Sequence, residues 1–74
     1  MKLSDGEIGK IYKVENTGLP PQIGKRLEAL GMTLGTKVDI INLKNHGTMV
    51  IKLRGSRFAV GRGITSRIEV KEDF

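Results

Sequence analysis

The sequence predicts a mainly β domain: a small barrel of about five strands, with one short α-helix between the first and second. Three observations lead there. Apolar residues alternate with polar ones in several short runs. Ten glycines in 74 residues punctuate those runs. Only one segment carries the 3.6-residue period of an amphipathic helix.

In EIGKIYKV, Ile8, Tyr12 and Val14 alternate with polar neighbours while Ile11 takes the opposite parity, which predicts a first strand exposed on part of one side. NTGLPP ends it. The two prolines suit the first turn of a helix, where their missing N–H groups are not needed, and Ile23, Leu27 and Leu30 follow at i, i+4 and i+7. That spacing predicts a helix over Pro21 to Leu30, weakened by Gly24 by about 1 kcal/mol relative to alanine, so tertiary packing must hold it. Gly31 stands where a left-handed residue closes a helix, with Met32 placed for a contact back to the last turn. In Thr33-Leu34-Gly35-Thr36 the glycine takes the place that needs a positive φ in a type II turn.

KVDIINL reads as the second strand. Val38 and Ile40 share one parity and Ile41 and Leu43 the other, so a bulge near Ile40 and Ile41 would turn all four inward. KNHG is a hairpin connection with Gly47 at a positive φ, after which Met49, Ile51 and Leu53 alternate with Val50, Lys52 and Arg54. Gly55-Ser56 suits a two-residue turn, and Phe58 and Val60 then point inward beside Arg57 and Ala59. GRGITS reads as a tight crossover of about one helical turn, and RIEVK, with Ile68 and Val70 inward, closes the sheet. An SH3-like barrel spanning 1–74 as one domain is the economical architecture, since closure leaves little free edge.

Composition narrows the function. A domain this small buries only about 60% of its unfolded surface, which leaves no room for a large internal catalytic cavity. The absence of cysteine excludes disulfides and thiolate metal sites and suits a reducing compartment. No apolar run approaches a bilayer-spanning length and MKLSDGEIGK lacks a signal-peptide core, so a soluble, cytoplasmic protein is expected. Of the net charge of +5, residues 40–68 hold six Lys/Arg against no Asp/Glu, so the positive field lies in the C-terminal half.

LSDGEIG, GKRLEALGMTLGTKV, MVIKLRGSRFAV and GRGITSRIEV, in that order, resemble the FeoA family of small cytosolic proteins of bacterial ferrous iron uptake. The resemblance covers nearly the whole chain, and its most specific part is the LGM-x-x-GTKV joint with the arginine-glycine turn and closing strand that follow. Leu34 replaces a proline common before the turn glycine, and Thr65 an alanine common in the crossover, adding a hydroxyl that needs a partner if buried. The same barrel also occurs as a C-terminal domain of DtxR-like metal-dependent repressors, but a domain standing alone, without DNA-binding helices ahead of it, is expected here. The resemblance implies a non-enzymatic accessory protein whose partner is the FeoB membrane transporter with its cytosolic GTP-binding domain, peripheral to the membrane only through that partner, and it carries a family-level association with transition metals.

Individual residues bear on these expectations. His46, the only histidine, sits between Asn45 and Gly47 at a hairpin tip and reads as a solvated turn residue, because one imidazole cannot assemble a zinc or ferrous site. Asp5, Glu7, Glu69, Glu72 and Asp73 read as solvated charge near the chain ends. No Cys or His-centred triad and no phosphate loop is present, and neither an enzyme nor a bound cofactor is expected. Lys52, Arg54, Arg57, Arg62 and Arg67 form a candidate partner-docking set, with nucleic-acid contact and ordinary solubilising charge as the competing readings. Arg26 joins them, lying beside the apolar stripe of the helix, where its guanidinium either meets a partner carboxylate or simply snorkels. The alternative is a stand-alone nucleic-acid-binding barrel. Tyr12, Phe58 and Phe74 are its only aromatics, and the first two read as core, so no stacking platform supports specific nucleic-acid recognition.

Overall fold

The computed structural model describes residues 1–73. After a single 3-10 turn at Leu3–Asp5 come β1 (Ile11–Thr17), α1 (Pro21–Ala29), β2 (Lys37–Leu43), a second 3-10 turn at Asn45–Gly47, β3 (Met49–Leu53), β4 (Ser56–Val60), the one-turn α2 (Arg62–Thr65) and β5 (Ile68–Glu72). The strands form one antiparallel sheet in the order β4-β3-β2-β1-β5. This is the mainly β, SH3-like arrangement expected, with its helix between the first two strands. No helix among the described residues is long and apolar enough to cross a membrane.

The inward parity of every strand meets in one cluster: Tyr12 and Val14, Val38 and Ile40, Met49, Ile51 and Leu53, Val60, and Ile68 and Val70, with Leu3 filling one end. Tyr12 is buried with its polar tip satisfied, since its hydroxyl accepts the Glu7 N–H at 2.9 Å. Gly6 lies against this ring so closely that a Cβ would overlap Ile40 Cδ1, which makes a side chain there impossible without a shift. Two bulges let the short sheet curl. One falls at Glu15, between the Val14–Val70 and Asn16–Glu69 pairs, the other at Ile41, between Ile40–Ile51 and Asn42–Val50.

Several expectations are corrected. β1 begins at Ile11, and Ile8 instead occupies the turn Glu7–Lys10, closed by the Lys10 N–H to Glu7 O bond, with its side chain in solvent. The bulge at Ile41 exists, but it turns only Val38 and Ile40 fully inward; Ile41 is half-buried, and Leu43, at the last position of β2 opposite buried Met49, is exposed. Along α1 only Leu27 is buried, while Ile23 and Leu30 face solvent. The β3–β4 turn is Arg54-Gly55 rather than Gly55-Ser56: Leu53 pairs with Ser56, and both turn residues have positive φ, 51° and 83°, the signature of a type I′ turn.

The end of α1 follows the sequence closely. Gly31 has φ +106°, its N–H donates to Glu28 O at 2.9 Å and the Met32 N–H to Leu27 O at 2.8 Å, the two bonds of a Schellman closure. Buried Met32 and Leu27 supply the accompanying apolar contact. Gly35 then holds φ +84° with the Thr36 N–H on Thr33 O, and the Gly35 N–H and Thr36 O reach Val14 O and N, so the turn hands the chain directly to pairing with β1.

The two sheet edges differ. β5 is covered by the N-terminal segment, through the Lys2–Glu69 bridge and the Val70 N–H to Met1 O bond at 2.7 Å. Among the described residues nothing pairs with the outer edge of β4, so closure is less complete than expected.

Two stability predictions follow from these positions. Gly35→Val forces a β-branched residue into the left-handed region and is expected to cost about 1–3 kcal/mol, while Gly35→Asn, which tolerates that region, costs less. Thermal melts of both variants check this; equal midpoints would show that the backbone there is not held at positive φ. Thr65 is fully buried and its hydroxyl has no hydrogen-bond partner. Thr65→Val, which keeps the shape and removes the unpaired group, is therefore expected to raise stability by about 1 kcal/mol in denaturant titration, and Thr65→Ser to lower it.

Candidate protein-docking site

The exposed apolar residues of α1 have a physical cause. A nine-residue helix tied down at its C-terminal cap can lay only one turn on the barrel mouth, so Leu27 enters the core and Leu30 stops at its rim. Facing Leu30 across a groove of about 210 Å³ are Phe58, Ala59 and Val60 of β4 and Ile64 of α2, with Leu27 and Met32 at its floor. Phe58, expected in the core, is half-buried and packs on the core with its flank lining this groove.

The groove runs beside the open edge of β4. In a hairpin closed by a two-residue turn the flanking pair exchanges hydrogen bonds, so Ser56, Phe58 and Val60 direct their backbone groups to β3 while those of Arg57 and Ala59 point away. Both residues are exposed. An extended segment laid there would find free backbone donors and acceptors alongside an apolar trough, the two requirements of strand addition.

The candidate basic residues are spread around this region rather than gathered at one point. Arg54, at the type I′ turn, lies over the helix cap: a Cβ on Gly31 would stand 2.8 Å from Arg54 Cδ. Arg57 pairs across the hairpin with Lys52 on its outer face. Arg62 leans on the β2–β3 connection, its Cδ 3.0 Å from where a Gly47 Cβ would be. Arg67 precedes β5, its carbonyl receiving the Gly18 N–H, and Arg26 stands on the solvent side of α1 beside Gln22 and Ile23.

Among the described residues none of these six has a carboxylate within 4.0 Å; the ion pairs are made elsewhere, by Lys2 and the Met1 ammonium with Glu69, Lys10 with Glu7 and Glu72, and Lys37 with Asp73. Hydrogen bonding from Lys10 lowers the pKa of Glu7, and that from Lys2 lowers that of Glu69; Lys10 is raised in turn. Those shifts belong to the seam between the N-terminal segment, β1 and β5.

Sequence reasoning offers the arginines as candidates and does not single out Leu30, Ala59 or Ile64, which the structure places in the groove lining. Periodicity had assigned Leu30 to the helix stripe, and only the brevity of α1 hinted that the stripe's end would overhang. His46 stands exposed with φ 65° in the Asn45–Gly47 turn, and among the described residues no three His, Cys, Asp or Glu side chains converge. Phe74 lies outside the described residues.

Comparison with known proteins gives this geometry a family. A curated relative, the "Putative Fe(2+) transport protein A" of Methanocaldococcus jannaschii, is 35% identical over 48 residues, covering 65% of this chain and 57% of the relative. The solution structure of the FeoA protein from Chlorobium tepidum superposes with a TM-score of 0.91 at 25% identity, covering 97% of this chain and 70% of that one. Stenotrophomonas maltophilia FeoA, a prokaryotic SH3 domain protein crystallised with zinc, gives 0.81 at 25% identity, covering 96% and 89%. The FeoA domain model matches residues 1–72, all but the last two positions of the sequence, and the chain belongs to the FeoA family.

Proposed function

We propose that this chain is a non-enzymatic accessory protein of ferrous iron uptake that docks on the cytosolic GTP-binding region of a FeoB-type transporter and tunes its action. The S. maltophilia relative, for which a role as a ferrous iron transport activating factor has been put forward, supports the reading. The observation that carries it is the apolar groove between α1 and the unpaired edge of β4, with Arg54 and Arg57 near it and, among the described residues, no carboxylate to neutralise them. Apolar surface at the centre and unsatisfied charge at the margin is the anatomy of a protein interface, in which the trough supplies affinity and the charges supply orientation.

Two variants test the docking site. Leu30→Glu places a charge in the groove, and Arg54→Glu with Arg57→Glu reverses its margin; each is expected to weaken binding to the transporter's cytosolic region at least tenfold, about 1.4 kcal/mol, with circular dichroism unchanged. Lys25→Glu with Lys44→Glu, neither of which lines the groove, is the control and is expected to leave affinity within a factor of about two. Equal losses in control and test would remove the groove from the mechanism. Short RNA titrated at two salt concentrations separates the competing class: tight binding that persists in salt, with no transporter binding, overturns the reading.

The absence of converging ligands among the described residues gives a third expectation. Anaerobic titration with ferrous iron, or with zinc, is expected to produce no saturable one-to-one shift of amide signals around His46, because closed sites need several ligands. Stoichiometric tight binding would show that metal enters the contact directly.

A further inference from the structure

Across the outer face of the sheet one row of the register reads Asp39 on β2, Lys52 on β3 and Arg57 on β4. Lys52 has a carboxylate on one side and a like charge on the other, and like charges opposite one another, about 5 Å apart on adjacent strands, destabilise a sheet. Beyond Arg57 the row stops. No strand of the sheet lies on that side of β4, and among the described residues no carboxylate pairs with Arg57.

The elements around this edge hold no compensating charge. β3, the β3–β4 turn, β4 and α2 contribute Lys52, Arg54, Arg57 and Arg62, all exposed, and not one carboxylate. The Glu28 carboxylate of α1 belongs to the cleft on the other side of the helix, with Asn16, Thr17 and Lys25. The backbone is incomplete in the same place. Arg57 and Ala59 turn an N–H and a C=O each away from β3, while Phe58 and Val60 bond to β3 and line the groove with their side chains.

One occupant meets all of these demands. A strand laid along β4 exchanges bonds with Arg57 and Ala59, and residues paired across a sheet put their side chains on the same face. Its residues opposite Phe58 and Val60 therefore enter the groove beside Leu30 and Ile64, and its residue opposite Arg57 stands on the outer face as the missing fourth member of the charge row. A helix in the groove, its backbone bonded internally, would leave all four edge groups unpaired, and prolines would bring no N–H to the two carbonyls.

We propose that an extended segment of the partner adds to β4 as a sixth, antiparallel strand and reads, from its N-terminus, apolar, any, apolar, acidic, opposite Val60, Ala59, Phe58 and Arg57. The antiparallel sense continues that of every other pair in the sheet, and its hydrogen bonds are the stronger. The proposal rests on the docking reading for the source of the segment, the transporter's cytosolic region, and not for its chemistry.

Ala59→Pro tests the backbone directly, because it removes one free N–H from an edge strand, where proline is tolerated, and keeps both arginines and every bond to β3. It is expected to weaken binding to the transporter's cytosolic region at least tenfold with the thermal midpoint retained, and Ala59→Val, which keeps the N–H, binds at least fivefold more tightly than Ala59→Pro. A loss with Leu30→Glu but none with Ala59→Pro leaves the docking site standing and overturns strand addition; a loss with neither overturns both. A peptide keeps the question open to measurement should the proline variant fail to fold. Acetylated and amidated Thr-Ile-Thr-Ile-Glu-Thr, titrated into the whole chain, is expected to shift the Arg57 and Ala59 amide signals saturably and to slow their hydrogen exchange. Moving the glutamate ahead of the first isoleucine, replacing it by lysine, or methylating its amide nitrogen is each expected to weaken that binding at least fivefold. No shift at Arg57 and Ala59, equal binding of the methylated peptide, or a dimer of the chain alone that Ala59→Pro dissociates overturns the proposal.

Discussion

The hydrogen bond from the Met32 N–H to the Leu27 carbonyl, with the Gly31 N–H on Glu28, is the constraint on which the molecule is organised. It reverses the chain within two residues, a step that needs the left-handed φ of Gly31, and it plants Leu27 and Met32 together over the mouth of the barrel. A helix of nine residues has little stability of its own, and this one contains a glycine, so its place is set by that cap and by Leu27 rather than by propensity. The same glycine admits the Arg54 side chain from the β3–β4 turn. One backbone closure thus sets the helix angle, the overhang of Leu30 and the position of an arginine beside the groove.

What the sequence revealed of the fold follows the strength of local signals. Strict alternation in Met49, Ile51 and Leu53 and the cap at Gly31 were legible because each depends on neighbours within a few positions. The extent of burial was not. Ile23, Leu27 and Leu30 make the pattern of a buried stripe, yet only one is covered, since periodicity says which residues share a face and not how much surface is there to receive it. Gly55-Ser56 and Arg54-Gly55 are both plausible two-residue turns; the Leu53–Ser56 pair decides, and it requires a non-glycine residue at positive φ that local preference would disfavour. Thr65 illustrates the reverse, since its hydroxyl could be flagged from sequence while its isolation depends on packing from several segments.

The charges of the candidate site divide along the same line. A count along the chain locates the basic excess in residues 40–68, and two of the arginines found there, Arg54 and Arg57, sit in the β3–β4 hairpin. The outer face of β2, β1 and β5 escapes any such count, because Lys37, Lys13 and Lys71 come from three distant segments and lie side by side only through strand register. Register is a tertiary property, set by the bulges at Glu15 and Ile41 and by the inward face being full.

The unequal treatment of the two sheet edges ties fold to function. An unpaired strand invites association, and small β domains cover such edges or make them unattractive. Here β5 is covered by Met1 and Lys2, held by backbone bonds and by the Glu69 ion pairs, so the chain has the means to hide an edge. β4 is left open beside the apolar groove that Phe58, Ala59 and Val60 line, with Arg57 as the strand's only charge among the described residues. That single cation, on one of the two residues whose backbone groups are free, disfavours a second copy of the same strand and favours an acidic or neutral segment. An edge so guarded against itself and open to others fits a domain whose work is done by being joined.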